Sequence, residues 1–308
     1  MVRAILAFEA LCSLAACAHA PLPLVAPHAA SGAAAAATTD TYYKAVASLQ
    51  GPALMKGLHA LTGSGQKVYG YNEARDKMFA LVDDVANKDV VVDVYCGRTS
   101  KGVTDRVSAF QRGLNAEHTW PQSMGAMEEP AKSDLHHIFP ADAGTNSMRN
   151  NHPFGVPAKV SETLPDYQGS GQNSRIGTAS DGVVTFEPRD DHKGDAARAM
   201  MYFYMRYGYR APAKAGVKLD NFKREFATLW RWHFQDPPSE KERARNEAIF
   251  RLQRNRNPFI DHPEYVQRIG HFLAARNTGV GAEGEGDDGD IIANNGARED
   301  EPGLRLGL

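Results

Sequence analysis

The sequence predicts a single, mostly helical α+β domain, and three observations predict it. Helical spacing of apolar residues recurs along the chain, strand-like runs are few and short, and those runs do not alternate with helices as a parallel α/β fold requires. The two ends differ in composition from the rest, which leaves residues 41–277 as one domain of ordinary size.

Taken in order, Ala74–Lys88 places Met78, Phe79, Leu81, Val82 and Val85 on one face and predicts a helix. Val90 to Tyr95 is a β-branched run closed by Gly97 and predicts a strand. His136 to Phe139 is a second, shorter strand candidate, and Gly177–Phe186, with Val183-Val184-Thr185-Phe186, is a third. Ala196–Tyr207 is apolar nearly all round and predicts a core helix, and Phe222–Phe234 is amphipathic. Pro237-Pro238 then stop the chain, Ser239 can cap, and Glu242 stands three residues on as a capping box for a helix to about Arg254. A last helix starts near Pro263.

The amino terminus reads as an export signal: Arg3 is followed by an apolar run from Ala4 to Ala16 that is too short to span a bilayer. Leu14-Ala15-Ala16-Cys17 resembles a lipobox, which predicts a signal peptide over 1–17, lipidation of Cys17 and placement in the periplasm or outer membrane; cleavage after Ala20, giving a freely secreted protein, is the competing reading. Residues 18–40, rich in Ala, Pro and Thr, read as a disordered tether. With Cys12 removed and Cys17 modified, Cys96 has no partner, so it reads as a buried thiol and the core must hold without crosslinks. Residues 278–308 carry eight acidic residues against two Arg and few large apolar side chains, so they read as a disordered acidic tail. That tail accounts for −6 of a chain whose net charge is −2, so the remainder is +4, a mildly basic surface compatible with a polyanionic partner.

The chemistry concentrates in residues 115–155, where four His, four Asn and five acidic residues fall within 41 positions with little helical periodicity. That density suggests a site built on loops. A closed structural zinc centre would want four Cys/His ligands, and no thiol is present in this stretch; the H-E-x-x-H protease pattern is also absent. Carboxylate and amide oxygens suit a hard cation such as Mg²⁺, which pairs with phosphate oxygens, and a histidine beside it can take a proton from water. Metal, base and phosphate together point to phosphodiester hydrolysis.

Three pieces of this stretch, Glu117-His118-Thr119-Trp120-Pro121-Gln122-Ser123, Asp134-Leu135-His136-His137-Ile138-Phe139-Pro140 and Asn146-Ser147-Met148-Arg149-Asn150-Asn151 with Pro153-Phe154-Gly155, resemble the bacterial endonuclease I family. Phe186-Glu187-Pro188, Lys193-Gly194-Asp195-Ala196-Ala197-Arg198-Ala199 and the run from Asn255 to Pro263 extend the resemblance, in order, over about residues 70–265, while Ala141 and the short 124–133 connection depart from the pattern. The resemblance implies a ββα-metal, or His-Me finger, nuclease site within the α+β domain, and a secreted, nonspecific endonuclease acting on DNA, with RNA as a further candidate. It implies His118 as general base, Glu117 and Asn146 as ligands of one Mg²⁺ (Mn²⁺ or Ca²⁺ being alternatives), and products with 5′-phosphate ends.

Other residues are assigned from chemistry alone. Asn146 could instead cap a helix. Arg149 is a candidate for holding the scissile or product phosphate, and His136 and His137 for supporting the metal or base. Lys193, Arg198, Arg245, Arg251, Arg254 and Arg256 are candidates for contacts to the nucleic-acid backbone. No base-reading module is recognisable, so contacts should go to phosphate and sugar and cutting should be insensitive to sequence. A monomer is expected. The rival readings are a surface lipoprotein that binds metal or DNA without cutting, and a phosphatase or phosphodiesterase acting on small substrates. One geometric demand stands out: neighbours on a strand point to opposite faces, so Glu117 and His118 can share a site only where the strand ends, bulges or twists.

Overall fold

In the computed structural model, residues 39–84, 88–209 and 216–270 are described. The proposed signal, lipidation site, tether and acidic tail therefore lie outside the described residues, apart from Thr39 and Asp40. The chain divides into two compact units, Met1–Ser48 and Leu49–Leu308. In the first, residues 39–43 are helical and 44–48 form turns. Among the described residues no helix is long and apolar enough to cross a membrane.

The second unit is the α+β domain the sequence predicts. It opens with α1 (Gly51–Gly63) and α2 (Tyr71–Lys77), the latter continuing as a π turn over Met78–Val82. The helix expected over 74–88 therefore ends early; Asp84 already bridges to Val91. Two short strands, β1 (Val90–Val92) and β2 (Thr99–Lys101), pair antiparallel. After α3 (Arg106–Gln111) come β3 (Leu114–His118), β4 (Ile138–Asp142) and α4 (Ala143–Arg149). A three-stranded antiparallel sheet follows, β5 (Lys159–Thr163), β6 (Arg175–Thr178) and β7 (Val184–Glu187). The third strand candidate is thus a hairpin: Thr178 ends one strand and Val184 begins the next, with Gly182 N donating to Ala179 O across the turn.

The helices expected downstream form where predicted. They are α5 (Asp190–Phe203, continued as a π turn over Tyr204–Gly208), α6 (Asp220–Gln235) and α7 (Glu240–Gln253), with the short α8 (Pro258–Asp261) and α9 (Tyr265–Ile269) closing the fold. Ser239 caps α7 by accepting from Glu242 N at 3.1 Å. The reciprocal half of the capping box is replaced, because the Glu242 carboxylate is bound to Arg198.

Two apolar clusters flank β3 and β4. One gathers Met78, Phe79, Val91, Leu114, Leu135, Ile138 and Ile249. The other is aromatic: Trp120 stacks on Phe203 with ring centroids 4.5 Å apart, and Tyr204 on Phe222 at 4.7 Å. Such packing removes large rings from water and fixes the elements that present the polar segment between them.

Candidate active site

β3 and β4 form an antiparallel hairpin in which Glu117 pairs with Phe139 and His118 with Ile138. α4 follows β4 directly. Asp142 caps it by accepting from Thr145 N at 3.0 Å, so Asn146 is not the cap but an interior helical residue. Asn146 and Arg149 are three positions apart and share a face. Asn150 then takes φ 54°, a left-handed conformation that Asn tolerates better than most residues, and turns the chain back along the site.

A cavity of about 420 Å³ opens here, lined by Ala116, Glu117 and His118 from β3, by the turn Pro121–Ser123, and by Asn146, Ser147, Arg149, Asn150 and Asn151. The pleat does send Glu117 and His118 to opposite sides of the ribbon. Glu117 meets Tyr95 and Arg149, whereas His118 meets Tyr71 and His137. They share one cavity because β3 ends at His118, and the cavity wraps around that end.

The turn after β3 is fixed by its surroundings. Trp120 Nε1 donates to Met124 O at 2.9 Å, and Lys218 N donates to the same carbonyl at 2.9 Å. Gly125, at φ 118°, allows this approach: a Cβ there would stand 2.5 Å from Val217 Cα. The turn places the Gln122 amide nitrogen 3.2 Å from His118 Nδ1.

His118 Nε2 lies 2.9 Å from the Lys132 carbonyl oxygen. A carbonyl only accepts, so Nε2 carries the proton and Nδ1 the lone pair. Burial, reinforced by the neighbouring His137, holds the imidazole pKa down at about 3, so the ring is neutral at physiological pH.

Glu117 is 2% exposed. Its Oε1 accepts from Tyr95 OH at 2.7 Å and lies 3.3 Å from Arg149 Nε, while Oε2 has no hydrogen-bond partner among the described residues. Tyr95 is set by Asp93, whose carboxylate accepts from the backbone N–H groups of Tyr95, Cys96, Arg98 and Asp142 and so ties the β1–β2 loop to the start of α4. Asn146 Nδ2 donates to Asn115 Oδ1 at 2.8 Å, which commits the amide nitrogen and leaves its oxygen for another group. One carboxylate oxygen and one amide oxygen are therefore available at one cavity. Among the described residues no three of His, Cys, Asp and Glu cluster to hold a metal by themselves. The donor set fits a hard cation that keeps several waters better than it fits zinc.

Several sequence-based assignments change. Arg149 is not free to grip a phosphate: it is 1% exposed, with Nη2 on Thr119 O at 2.9 Å, Nη1 on Asn150 O at 2.8 Å and Nε toward Glu117. It braces the carboxylate. His136 turns away from the base, its ring tilted against that of Tyr202 with centroids 4.6 Å apart and its Nε2 on Asn255 O, whereas the His137 ring lies 5.4 Å from that of His118. Four of the six proposed backbone-contacting cations are committed inside the protein. Lys193 pairs with Glu187 and Asp190, and Arg198, fully buried, with Glu242 and Asp195. Arg245 binds Asp83 and the carbonyls of Leu135 and Ile138, and Arg256 pairs with Asp261 and Glu247. Desolvating a guanidinium or an ammonium is tolerable only with such partners, and none of the four can be spared for a phosphate. Arg251 is exposed beside Glu247, and Arg254 is exposed at the end of α7. Cys96 is free and buried, and its thiol, pushed up to about 12 by burial and by Asp93, is unreactive.

Tyr95, Asn115, Gln122 and the Lys132 carbonyl were not singled out from sequence. Asn115 and Gln122 stood inside the polar segment, but their roles rest on pairings that spacing does not encode.

A hairpin followed by a short helix thus presents an imidazole, a carboxylate and an amide to one open polar cavity. Comparison with known proteins gives the family. The chain belongs to the endonuclease I family, whose model matches residues 59–264. It is similar to the extracellular ribonuclease of Bacillus subtilis (strain 168), at 34% identity over 251 residues, covering 78% of this chain and 82% of the relative. The extracellular ribonuclease of Bacillus amyloliquefaciens is likewise 34% identical, over 243 residues, 76% of this chain and 79% of the relative. A periplasmic deoxyribonuclease of Aeromonas hydrophila is 27% identical over 136 residues, 42% of this chain and 48% of the relative.

Proposed function

We propose that this protein is an exported, divalent-metal-dependent endonuclease that hydrolyses phosphodiester bonds of DNA and RNA with little regard to sequence. The observation that carries the reading is the single cavity that His118, Glu117 and Asn146 all line. The names of the relatives, two extracellular ribonucleases and a periplasmic deoxyribonuclease, support export and both kinds of nucleic acid.

His118 acts as general base. With Nε2–H held by Lys132 O, the Nδ1 lone pair faces the Gln122 side of the cavity, and water replacing the Gln122 amide there can give up its proton to Nδ1. Glu117 Oε2 and Asn146 Oδ1 hold the cation, Mg²⁺ in the first instance, with Mn²⁺ or Ca²⁺ as substitutes. Bound there, it supplies positive charge against the phosphate and the leaving 3′ oxygen. The products carry 5′-phosphate ends. Arg149 and Tyr95 orient Glu117, Asn115 orients Asn146, and the edge-on contact with His137 helps fix the base. Of the six candidate cations, Arg251 and Arg254, on α7 and at its end, remain on the surface for backbone contacts. The amino-terminal segment supplies export, with Cys17 as the lipidation site, and the folded unit acts as a monomer.

Supercoiled plasmid and a structured RNA, each incubated with purified protein with and without EDTA, test the reading. His118→Ala should lower cleavage by about 10²–10⁴-fold, the contribution of a positioned general base, while nucleic-acid binding persists. Cleavage that survives EDTA, or that His118→Ala leaves intact, would sink it.

A further inference from the structure

The His118 ring has a second edge. Nδ1 faces Gln122 and the cavity, while Nε2 faces the Lys132 carbonyl, where a different group of side chains gathers. Tyr71, the first residue of α2, lies with its ring centroid 5.4 Å from that of His118. Two cations rest on Tyr71: the Arg75 guanidinium carbon is 4.4 Å from the ring centroid and Lys132 Nζ is 5.2 Å from it.

These two cations differ from the arginines described above. Neither belongs to an ion pair among the described residues. Among the described residues Arg75 makes a single hydrogen bond, from Nη2 to Asn72 Oδ1 at 2.6 Å, and its buried Nε has no partner. A guanidinium offers five donors, so this one is largely unspent. Among the described residues neither nearby acid pairs with these cations. Glu129 accepts from Ser133 N at 3.1 Å, and Glu117 is held by Tyr95 and Arg149. Side chains this long lose rotamer freedom when ordered, so two cations fixed on one ring with no acid to receive them make a preorganised receptor for an external anion.

We propose that Arg75 and Lys132, carried on Tyr71, hold a phosphate of the nucleic-acid strand adjacent to the scissile one, on the Nε2 side of His118. The proposal rests on the nuclease reading. A strand whose scissile phosphate lies in the cavity continues beyond His118, and its next charge meets the two cations the protein leaves unneutralised. Both are substrate-positioning residues: they set the register of the strand against His118 Nδ1 and touch no reacting atom. The contact is to phosphate, so it is blind to base identity and serves DNA and RNA alike.

The test is the salt dependence of binding to a duplex, measured in EDTA so that nothing is cut, beside steady-state kinetics with metal. Each neutralised phosphate contributes about 0.9 to the slope of log affinity against log salt, so Arg75→Gln with Lys132→Gln, which release the one phosphate they share, should flatten that slope by about 0.9. In kinetics the double variant should raise KM several-fold with kcat little changed, the mark of lost uniform binding. Arg75→Lys and Lys132→Arg, which keep the charge, should retain most of the slope. Lys56→Gln, an exposed cation on α1, should leave slope and kinetics at wild-type values. An unchanged slope in the double variant, or a loss confined to kcat, overturns the proposal. The two readings fail separately: a wild-type protein that cuts nothing, beside a double variant whose slope flattens as predicted, ends the nuclease reading and leaves the phosphate subsite standing.

Discussion

Glu117 shows how much of this site depends on residues that never reach the substrate. A carboxylate 2% exposed is costly unless it is hydrogen-bonded and paired, and here both partners act on the same oxygen. Oε1 is satisfied inside the protein and Oε2 is left for the cavity, a division that aims the ligand. Removing the phenol hydroxyl loosens that aim without leaving the charge unpaired, because Arg149 remains. Tyr95→Phe should therefore weaken the apparent metal affinity by about 10–100-fold, the usual cost of losing a partner that orients a ligand, while cleavage at saturating metal stays close to wild type. Arg149→Lys should do the same more severely, since an ammonium cannot serve Glu117, Thr119 O and Asn150 O together with planar geometry. A magnesium titration of plasmid nicking measures both, and an unchanged midpoint in both variants would show that the bracing is irrelevant.

Among the elements, α5, α6 and α7 were legible because each carries its own signal, an apolar stripe or a stop-and-cap sequence. So were the Glu117-His118, Asp134–Pro140 and Asn146–Asn151 pieces, which became a strand end, the entry to its partner strand and a helix. What local pattern could not reveal is which cation meets which acid. The run from Lys241 to Arg256 reads as a basic helix face, yet Arg245 finds Asp83 across 162 positions of sequence. Arg198 finds Glu242 across 44. Helical pattern likewise carried the predicted α2 too far, because Asp84 is drawn into a bridge with Val91. Arg245 also donates to Leu135 O and Ile138 O, so it fastens α7 to the start of β4. Arg245→Ala should accordingly act on stability rather than on nucleic-acid binding. Breaking a buried pair costs about 3–5 kcal/mol, and at 2–4 °C per kcal/mol for a domain of this size the thermal midpoint should fall by about 6–20 °C. The salt slope of binding should stay at the wild-type value. Normal stability with a flattened slope would return Arg245 to the nucleic-acid face.

At the scale of the whole molecule, the buried titratable groups make folding stability depend on pH in a definite way. Burial is the first cause that lowers His118 to about 3 and His136 and His233 to about 4. A histidine whose folded pKa is depressed stays neutral in the fold but takes up a proton on unfolding once the pH drops below about 6.5. The stability it contributes is complete above that pH and is lost as the pH falls. Glu225 works in the opposite sense. It is 3% exposed on α6, and burial, only partly offset by Arg149, pushes it up to about 8. It keeps a proton in the fold that the unfolded chain releases above about 4.5, so it lowers stability as the pH rises from 4.5 to 8. Between about pH 4.5 and 6.5 three uptakes oppose one release, leaving about two protons and a slope of roughly 3 kcal/mol per pH unit. From 6.5 to 8 only the Glu225 contribution of these four still changes, and it reverses the sign. Stability measured in EDTA should therefore peak near pH 6.5. The thermal midpoint should drop by about 5–10 °C on going to pH 5.5. Glu225→Gln should remove the decline on the alkaline side and leave the acid side in place, because the glutamine has no proton to lose while the three histidines remain buried. A midpoint that is flat from pH 5.5 to 6.5 would mean that these imidazoles are not held neutral by the core, and with them would go the argument that His118 stands ready as a base.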